Sequence, residues 1–431
     1  MRRIDWSSLD AEGRANALAR PARRRDPAVA ETVRRIFDDV EARGEAALQA
    51  WSLKLDGHAP RRLEITPAVA AAARAVTALE DEAALRVAHD NIRAFHEATR
   101  PHDSDWIETV PGVRSRRVWR PIQAAGLYVP AGTAPLFSTL LMLAVPAATA
   151  GVPVRAAVTP PGPTGEPHPM MILAADLAGL DTLWIVGGAQ AIAALTFGVG
   201  GLPRADKLFG PGNAYVAEAK KYAAALPGGP AVDMPAGPSE LMVIADADAD
   251  ARLVAADLLS QAEHDADAQV LLVSDDDGLI ARVQAEVEAQ LAGLPRAAVA
   301  RVSLNEARLI RVRAMDEAIE AADAYAPEHL SIQTADAEDL ADRVQAAGAV
   351  FVGAWAAETL GDYAAGPSHV LPTDGAARAF SGVSTAAFMT AMSMQQVTAD
   401  GARALAPVAA RLARLEGLEA HARAADLRAA S

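Results

Sequence analysis

Leu183-Trp184-Ile185-Val186-Gly187-Gly188-Ala189-Gln190-Ala191-Ile192-Ala193-Ala194-Leu195 changes character at its centre. A short apolar run stops at two glycines, and an alanine-rich helical pattern follows. That is the strand–turn–helix unit of a parallel sheet, whose strands are buried on both faces. The alternation recurs from about residue 120. Candidate buried strands are 126–129, 155–159, 183–186, 207–209, 240–244, 270–273 and 349–352. Several end in glycine or proline and lead into a helical pattern, so the expected class is α/β with mainly parallel sheets. Outward from this body, 26–100 reads as mostly helical, broken by a polar turn at 56–62. The stretch 160–169 reads as a loop. Strand signal stops at about Ala379, and the remainder is helical and alanine-rich. Residues 1–25 read as an arm that packs on something else, and no repeat of solenoid length is present.

A chain of 431 residues is too long for one simple core. With 51% hydrophobic and 22% charged residues it is globular, not disordered. Aromatics are only 4%, and alanine carries much of the apolar fraction, which favours helices with small side chains at close contacts. A formal charge of −15 disfavours nucleic-acid binding, which needs a basic surface. It suits a cationic small substrate, and equally plain solubility. The absence of cysteine excludes a disulfide scaffold and thiol catalysis. Any zinc site must then use His, Asp, Glu or an amide oxygen. The uncharged run 121–154 holds Pro130, Pro135, Pro146 and Pro153 with Gly126, Gly132 and Gly151. It is poor material for a membrane helix and good material for a buried loop and short helix. Residues 1–15 lack a signal-peptide-like apolar stretch, so the expected location is cytoplasmic.

Several short segments carry chemistry-bearing residues. Leu258-Leu259-Ser260-Gln261-Ala262-Glu263-His264-Asp265 places Gln261 and His264 three apart, on one face of an expected helix end. Such a pair can share a metal ion, although alone it more often marks a polar helix end. Tyr325-Ala326-Pro327-Glu328-His329-Leu330 sets a carboxylate and an imidazole on a constrained turn, where they can do acid–base work. A surface turn is the plainer reading of that segment alone. Glu358-Thr359-Leu360-Gly361-Asp362-Tyr363, followed by Gly366, His369 and Leu371-Pro372-Thr373, offers Asp362 as a metal ligand. His369 could bind substrate or orient another ligand. Phe209-Gly210-Pro211-Gly212-Asn213-Ala214-Tyr215-Val216 is half of a dinucleotide fingerprint, with Tyr215 where the third glycine belongs. Its backbone amides can still face a pyrophosphate. Asp233-Met234-Pro235-Ala236-Gly237-Pro238-Ser239-Glu240 is a rigid loop entering a strand. Glu416 and His421 lie near the C-terminus.

In this order and spacing the segments resemble the histidinol dehydrogenase family, from about Trp119 to Arg428, with a looser match before it. Gly126-Leu127-Tyr128-Val129-Pro130 joins the matching passages. The resemblance implies zinc bound by Gln261, His264, Asp362 and His421, one ion per subunit, serving mainly as a template for substrate. It implies Glu328 and His329 as the catalytic pair: His329 takes the alcohol proton, and Glu328 activates water against the aldehyde. Substrate contacts by resemblance are Ser239, Gln261, His264, His329, Asp362, Glu416 and His421, and contacts to NAD are Tyr128, Gln190 and Asn213. The implied reaction is oxidation of L-histidinol through L-histidinal to L-histidine with reduction of two NAD. The implied architecture is two incomplete Rossmann-like domains, one inserted in the other, with terminal arms exchanged in a homodimer. The boundaries expected are an arm at 1–25, a first domain at 26–127 plus 238–378, a second at 128–237, and a helical tail at 379–431. His58, His89, His96, His102 and His168 fall outside the motifs and are expected at the surface.

The chain departs from the family pattern in two places. Trp355-Ala356-Ala357-Glu358 stands where an aromatic-Ser/Thr-Pro-Glu run is common, and Val152 stands where a cysteine is common. The first bears on the rigidity of that loop; the second removes any thiol. A zinc hydrolase and a non-catalytic NAD- or metal-binding protein of the same fold remain as alternatives. Histidinol-dependent reduction of NAD separates the hydrolase, and the intact Glu328 and His329 speak against the second.

Overall fold

The computed structural model describes residues 1–21, 27–131, 135–235 and 237–430. Residues 22–25 of the expected arm, Gly132, Ala236 and Ser431 lie outside the described residues. The α/β expectation holds: two six-stranded sheets are flanked by helices, beside a three-stranded antiparallel sheet. All seven expected strands are present, some extended by a residue or two.

The first sheet is wholly parallel. Its order is Arg2–Asp5, Arg308–Arg311, Gln269–Ser274, Glu240–Ala245, His329–Gln333, Ala349–Val352. Its central strands alternate strictly. Leu241, Val243, Val270 and Leu272 face one core, while Met242, Ile244, Leu271 and Val273 face another. Burial on both faces explains why these strands read as unbroken apolar runs, each Leu or Ile contributing roughly 1.5–3 kcal/mol.

The second sheet runs Arg61–Glu64, Thr182–Ile185, Val154–Thr159, Ala124–Tyr128, Lys207–Phe209, Ala231–Val232, with only the first strand antiparallel. It too is covered on both faces. The Phe137–Ala150 helix, cut from the uncharged run, is almost entirely buried in one of these cores. No helix among the described residues is long and apolar enough to cross a membrane.

Sheet membership corrects the expected boundaries. The strands Arg61–Glu64 and Ala124–Tyr128 belong to the second sheet. The Pro27–Arg43 helix buries Val33, Ile36, Phe37 and Val40 in the core of that sheet. The Pro27–Arg43 helix and the strands Arg61–Glu64 and Ala124–Tyr128 therefore group with 128–232 and not with 238–378; the spacing i, i+3, i+4, i+7 gives the helix a face but does not say which sheet it meets. The N-terminal segment differs as well. Arg2–Asp5 is an edge strand beside Arg308–Arg311, and Trp6, Ala17 and Leu18 are buried against the same chain.

Further strands escaped the sequence pattern. Met389–Val397 pairs antiparallel with Val113–Pro121, which pairs with Ile107–Val110. The strand signal therefore does not stop at Ala379. Beyond it, the helices Ala399–Leu415 and Glu419–Ala429 pack on each other as the expected helical tail. Among the five histidines expected at the surface, His102 and His168 are exposed and His58 and His89 half-buried, but His96 is fully buried. It sits on the core-facing side of the Leu79–Ala98 helix with Leu85 and Ile92.

Candidate active site

The two large sheets meet edge to edge in function, and not in the same sense. Glu240 and His329 are the first residues of neighbouring strands, so they stand at the amino edge of the first sheet. Gly210 and Pro211 follow the Lys207–Phe209 strand, and Asp233 follows Ala231–Val232, so they stand at the carboxyl edge of the second. A cleft of about 190 Å³ lies between these edges. Ser239, Gln261, His264, Glu328, His329, Asp362 and His369 all line it.

Each side chain arrives by a local route. The Ala251–Ala262 helix returns from the Glu240–Ala245 strand and ends at the amino edge with Gln261 in its last turn. His264 lies beyond the helix end, in a turn whose amide bonds to the Gln261 carbonyl at 3.2 Å, so the two do not share a helical face as expected. Ala326 caps the preceding helix with a left-handed backbone, φ 51°. The chain then turns through Pro327 and Glu328 into the buried His329–Gln333 strand; Glu328 and His329 are buried, which rules out a surface turn. Asp362 belongs to the short helix Glu358–Tyr363, where Glu358 and Asp362 share a face by their spacing of four. Gly210 is shaped for the closest approach in the cleft: at φ 112° a Cβ would lie 2.0 Å from the Tyr128 carbonyl oxygen.

The catalytic candidates form one network. The Glu240 amide donates to Glu328 Oε2 at 2.9 Å. His329 Nδ1 donates to the Glu240 carbonyl at 3.1 Å, which fixes its tautomer and leaves Nε2 facing Asp362 Oδ1 at 3.3 Å. Glu328 and Glu358 approach His329 Nδ1 at 3.6 and 3.5 Å. Burial pushes the Glu328 carboxyl up to about 8, against the opposing charge of His329. Burial alone would lower the His329 imidazole, but Glu328, Glu358 and Asp362 outweigh it and push it up to about 10. Glu358 is raised by burial; burial would raise Asp362 too, but His329, His369 and His264 together outweigh it and leave Asp362 lowered. His369 donates from Nδ1 to the Asp362 carbonyl at 2.7 Å and meets the Thr139 hydroxyl at Nε2, 3.0 Å away. Both ring nitrogens are thus engaged in holding the Asp362 segment.

The donors suit a nitrogen- and oxygen-bound cation. Both amide atoms of the buried Gln261 have no hydrogen-bond partner. Gln261, His264 and Asp362 line one cleft. His329, Glu358 and Asp362 also bring ligand atoms within 4.8 Å of one another, so Asp362 joins both groupings. Glu416 and His421 are not brought in. They are exposed on the C-terminal helical hairpin and do not line the cleft.

The residues expected to contact NAD are only partly gathered. The buried Tyr128 hydroxyl accepts from the Gly188 amide at 3.1 Å. The buried Gln190 amide donates to Asp56 Oδ2 at 3.0 Å, and Asp56 also accepts from the Gly187 amide at 3.1 Å. Asp56 lines a second cavity, about 670 Å³, along the 160–169 loop. Asn213 stands apart as the cap of the Ala214–Ala225 helix, its Oδ1 accepting from the Tyr215 and Val216 amides. The sequence reading missed Glu358, Asp56 and Thr139 as site residues. For Glu358 a signal existed, the four-residue spacing to Asp362. Asp56 and Thr139 act through partners 134 and 230 residues away, which no local pattern reports. Trp355, in the departing loop, is 87% exposed, while Glu358 beyond it is buried in place.

Comparison with known proteins agrees with this geometry. The family model described as histidinol dehydrogenase matches residues 19–429. The histidinol dehydrogenase of Xanthomonas euvesicatoria pv. vesicatoria is 48% identical over 428 residues, covering 99% of each chain. That of Shigella sonnei is 45% identical, covering 99% of this chain and 97% of its own. The crystal structure of histidinol dehydrogenase from Elizabethkingia anophelis superposes with a TM-score of 0.94 at 38% identity, over 99% of this chain and 98% of the other. With the match spanning both sheets, the cleft between them and the C-terminal helices, the chain belongs to the histidinol dehydrogenase family.

Proposed function

We propose that this protein oxidises L-histidinol through L-histidinal to L-histidine, passing two hydrides in turn to NAD, in the biosynthesis of histidine. The observation that carries the reading is the Glu328–His329 pair, buried together against the Glu240 backbone with Gln261, His264 and Asp362 on the same cleft.

His329 is the base for the first step. Its Nδ1 proton is committed to the Glu240 carbonyl, so Nε2 is the atom that takes the alcohol proton as the carbon loses hydride. In the free site the acidic neighbours Glu328, Glu358 and Asp362 outweigh burial and push the ring above its ordinary value. Were Asp362 committed as a ligand, His329 would lose one of these partners and move down toward the range of a base. Glu328 serves the second step. As carboxylate it accepts a proton from water, whose oxygen adds to the aldehyde carbon, and the hydrate then gives up the second hydride. Gln261, His264 and Asp362 would hold a zinc ion, with His421 completing the set from the tail of a second copy. Such an ion would anchor the imidazole and amino groups of the substrate. Ser239 and Glu416 complete the substrate contacts. Tyr128, Gln190 and Asn213 receive NAD.

The experiment is metal analysis with an NADH assay on histidinol, before and after EDTA. Chelation should abolish activity and leave the circular dichroism spectrum unchanged, because the donors sit on a large preformed core. Full activity in metal-free protein would reject the zinc assignment. NADH formation that does not depend on histidinol would reject the substrate.

A further inference from the structure

Glu240 organises the proposed catalytic pair with its backbone: its amide holds Glu328 and its carbonyl holds His329. The Glu240 carboxylate has no exposed surface. A buried carboxylate is tolerated only when it is paired and hydrogen-bonded. Its partner comes from the other end of the sequence. Arg20 meets Glu240 with two prongs, Nε to Oε1 at 2.5 Å and Nη2 to Oε2 at 2.7 Å. The same Nη2 donates to the Tyr325 carbonyl at 3.0 Å, three residues before Glu328. The guanidinium also lies over the Tyr325 ring, 3.9 Å from its centroid. Glu240 Oε1 further accepts from the Asp374 amide at 3.2 Å. Gly375 keeps this side open, since a Cβ there would lie 3.0 Å from Arg20 Nη1.

The Arg20–Glu240 pair thus ties three separate segments: the guanidinium joins the strand start at Glu240 to the turn carrying Glu328, and the Glu240 carboxylate holds the loop at Asp374. We infer that Arg20 is a positioning residue for the reaction, acting through Glu240 and Tyr325 to fix the Glu328–His329 pair. This rests on the roles proposed above for that pair. The planar two-pronged contact and the ring stack suit arginine specifically; lysine offers a point charge without the fork. The N-terminal segment has other anchors, the Arg2–Asp5 strand pairing and the buried Trp6. Removing the Arg20 side chain therefore leaves the attachment of that segment in place.

The test is Arg20→Ala in the full chain, assayed for histidinol-dependent NADH formation with and without added guanidinium ion. The expected result is a kcat lower by on the order of tenfold to a hundredfold, as for other residues that orient a reacting group through a hydrogen bond. KM for histidinol and for NAD should stay near the parent values. Guanidinium should restore part of the rate, because it can refill the site beside Glu240 and Tyr325, and a merely structural lesion would not respond. Arg20→Lys should fall between parent and Arg20→Ala. It also stands in should Arg20→Ala not fold, in which case a parent-like kcat for Arg20→Lys overturns the assignment. A parent-like kcat in folded Arg20→Ala, a change confined to KM, or a loss indifferent to guanidinium would each overturn it too. Glu328→Gln and His329→Ala run alongside. If both keep full activity, the reading of the pair fails and this inference falls with it. If both are inactive while Arg20→Ala is normal, only the positioning role fails.

Discussion

At the scale of single residues, the cleft separates two groups that a model peptide would treat alike. Glu328 is fully buried, and burial outweighs the charge of the neighbouring His329 and raises it to about 8, so near neutral pH the free site holds it largely protonated. As proposed activator of water it must be a carboxylate. The rate of histidinal oxidation should therefore climb as pH rises toward and through about 8, where the group ionises. Oxidation of histidinol should follow a different profile, because in the proposed reaction its proton goes to His329. Glu328→Gln should remove the climb and slow histidinal oxidation more than histidinol oxidation. Single-turnover NADH yields from the two substrates across the pH range measure this directly. Equal losses for both substrates, or a climb that survives the substitution, would reject the division of labour.

At the scale of elements, the sequence is most legible where burial is two-sided and least legible where partners are distant. The strands 240–244 and 270–273 read correctly because both faces are apolar and packed. His329–Gln333 lies beside them in the same sheet but carries His329, Ser331 and Gln333 on buried positions, so it lacks the apolar run. Met389–Val397 is exposed along nearly its whole length and is held by pairing with Val113–Pro121, far away in sequence. The site motifs were legible as residue types, yet the edge that carries them was not. In open α/β sheets ligands gather at carboxyl ends; here the first sheet offers its amino edge. The Leu79–Ala98 helix holds a feature with a thermodynamic signature. His96 is fully buried, both ring nitrogens lack partners, and burial drives its pKa down to about 4. Because the folded value is depressed, the unfolded chain takes up the proton first as pH falls below 6.5. Stability is then lost progressively down to about pH 4. The two-and-a-half-unit gap corresponds to roughly 3 kcal/mol. His96→Leu removes the titration, so between pH 7 and 4 the free energy of unfolding from urea titrations should shift in favour of the variant by about that amount. A parent-to-variant difference that does not change with pH would contradict the neutral buried imidazole.

At the scale of the whole molecule, one chain supplies a cleft and a detached remainder. Gln261, His264 and Asp362 are gathered between the two sheets, whereas Glu416 and His421 are exposed on a terminal pair of helices that pack on each other. That tail also exposes Val408, Leu412, Leu415, Leu418 and Leu427, and the strand leading to it exposes Met392, Met394 and Val397. Apolar surface of this kind marks a contact face. A second copy, related by a two-fold axis, would cover it and bring each tail to the other's cleft, giving two identical composite sites. The arrangement is testable by complementation. His264→Ala removes a proposed ligand from the body, and His421→Ala a proposed ligand from the tail, so each homodimer should be nearly inactive. In a mixed dimer one site receives both lesions and the other receives neither. With random mixing half the dimers are mixed, and about a quarter of all sites are intact by symmetry. Histidinol oxidation by the two variants refolded together should therefore recover to about a quarter of the parent rate. Should activity stay at the level of the single variants while mixed dimers demonstrably form, His421 serves its own chain or is no ligand at all.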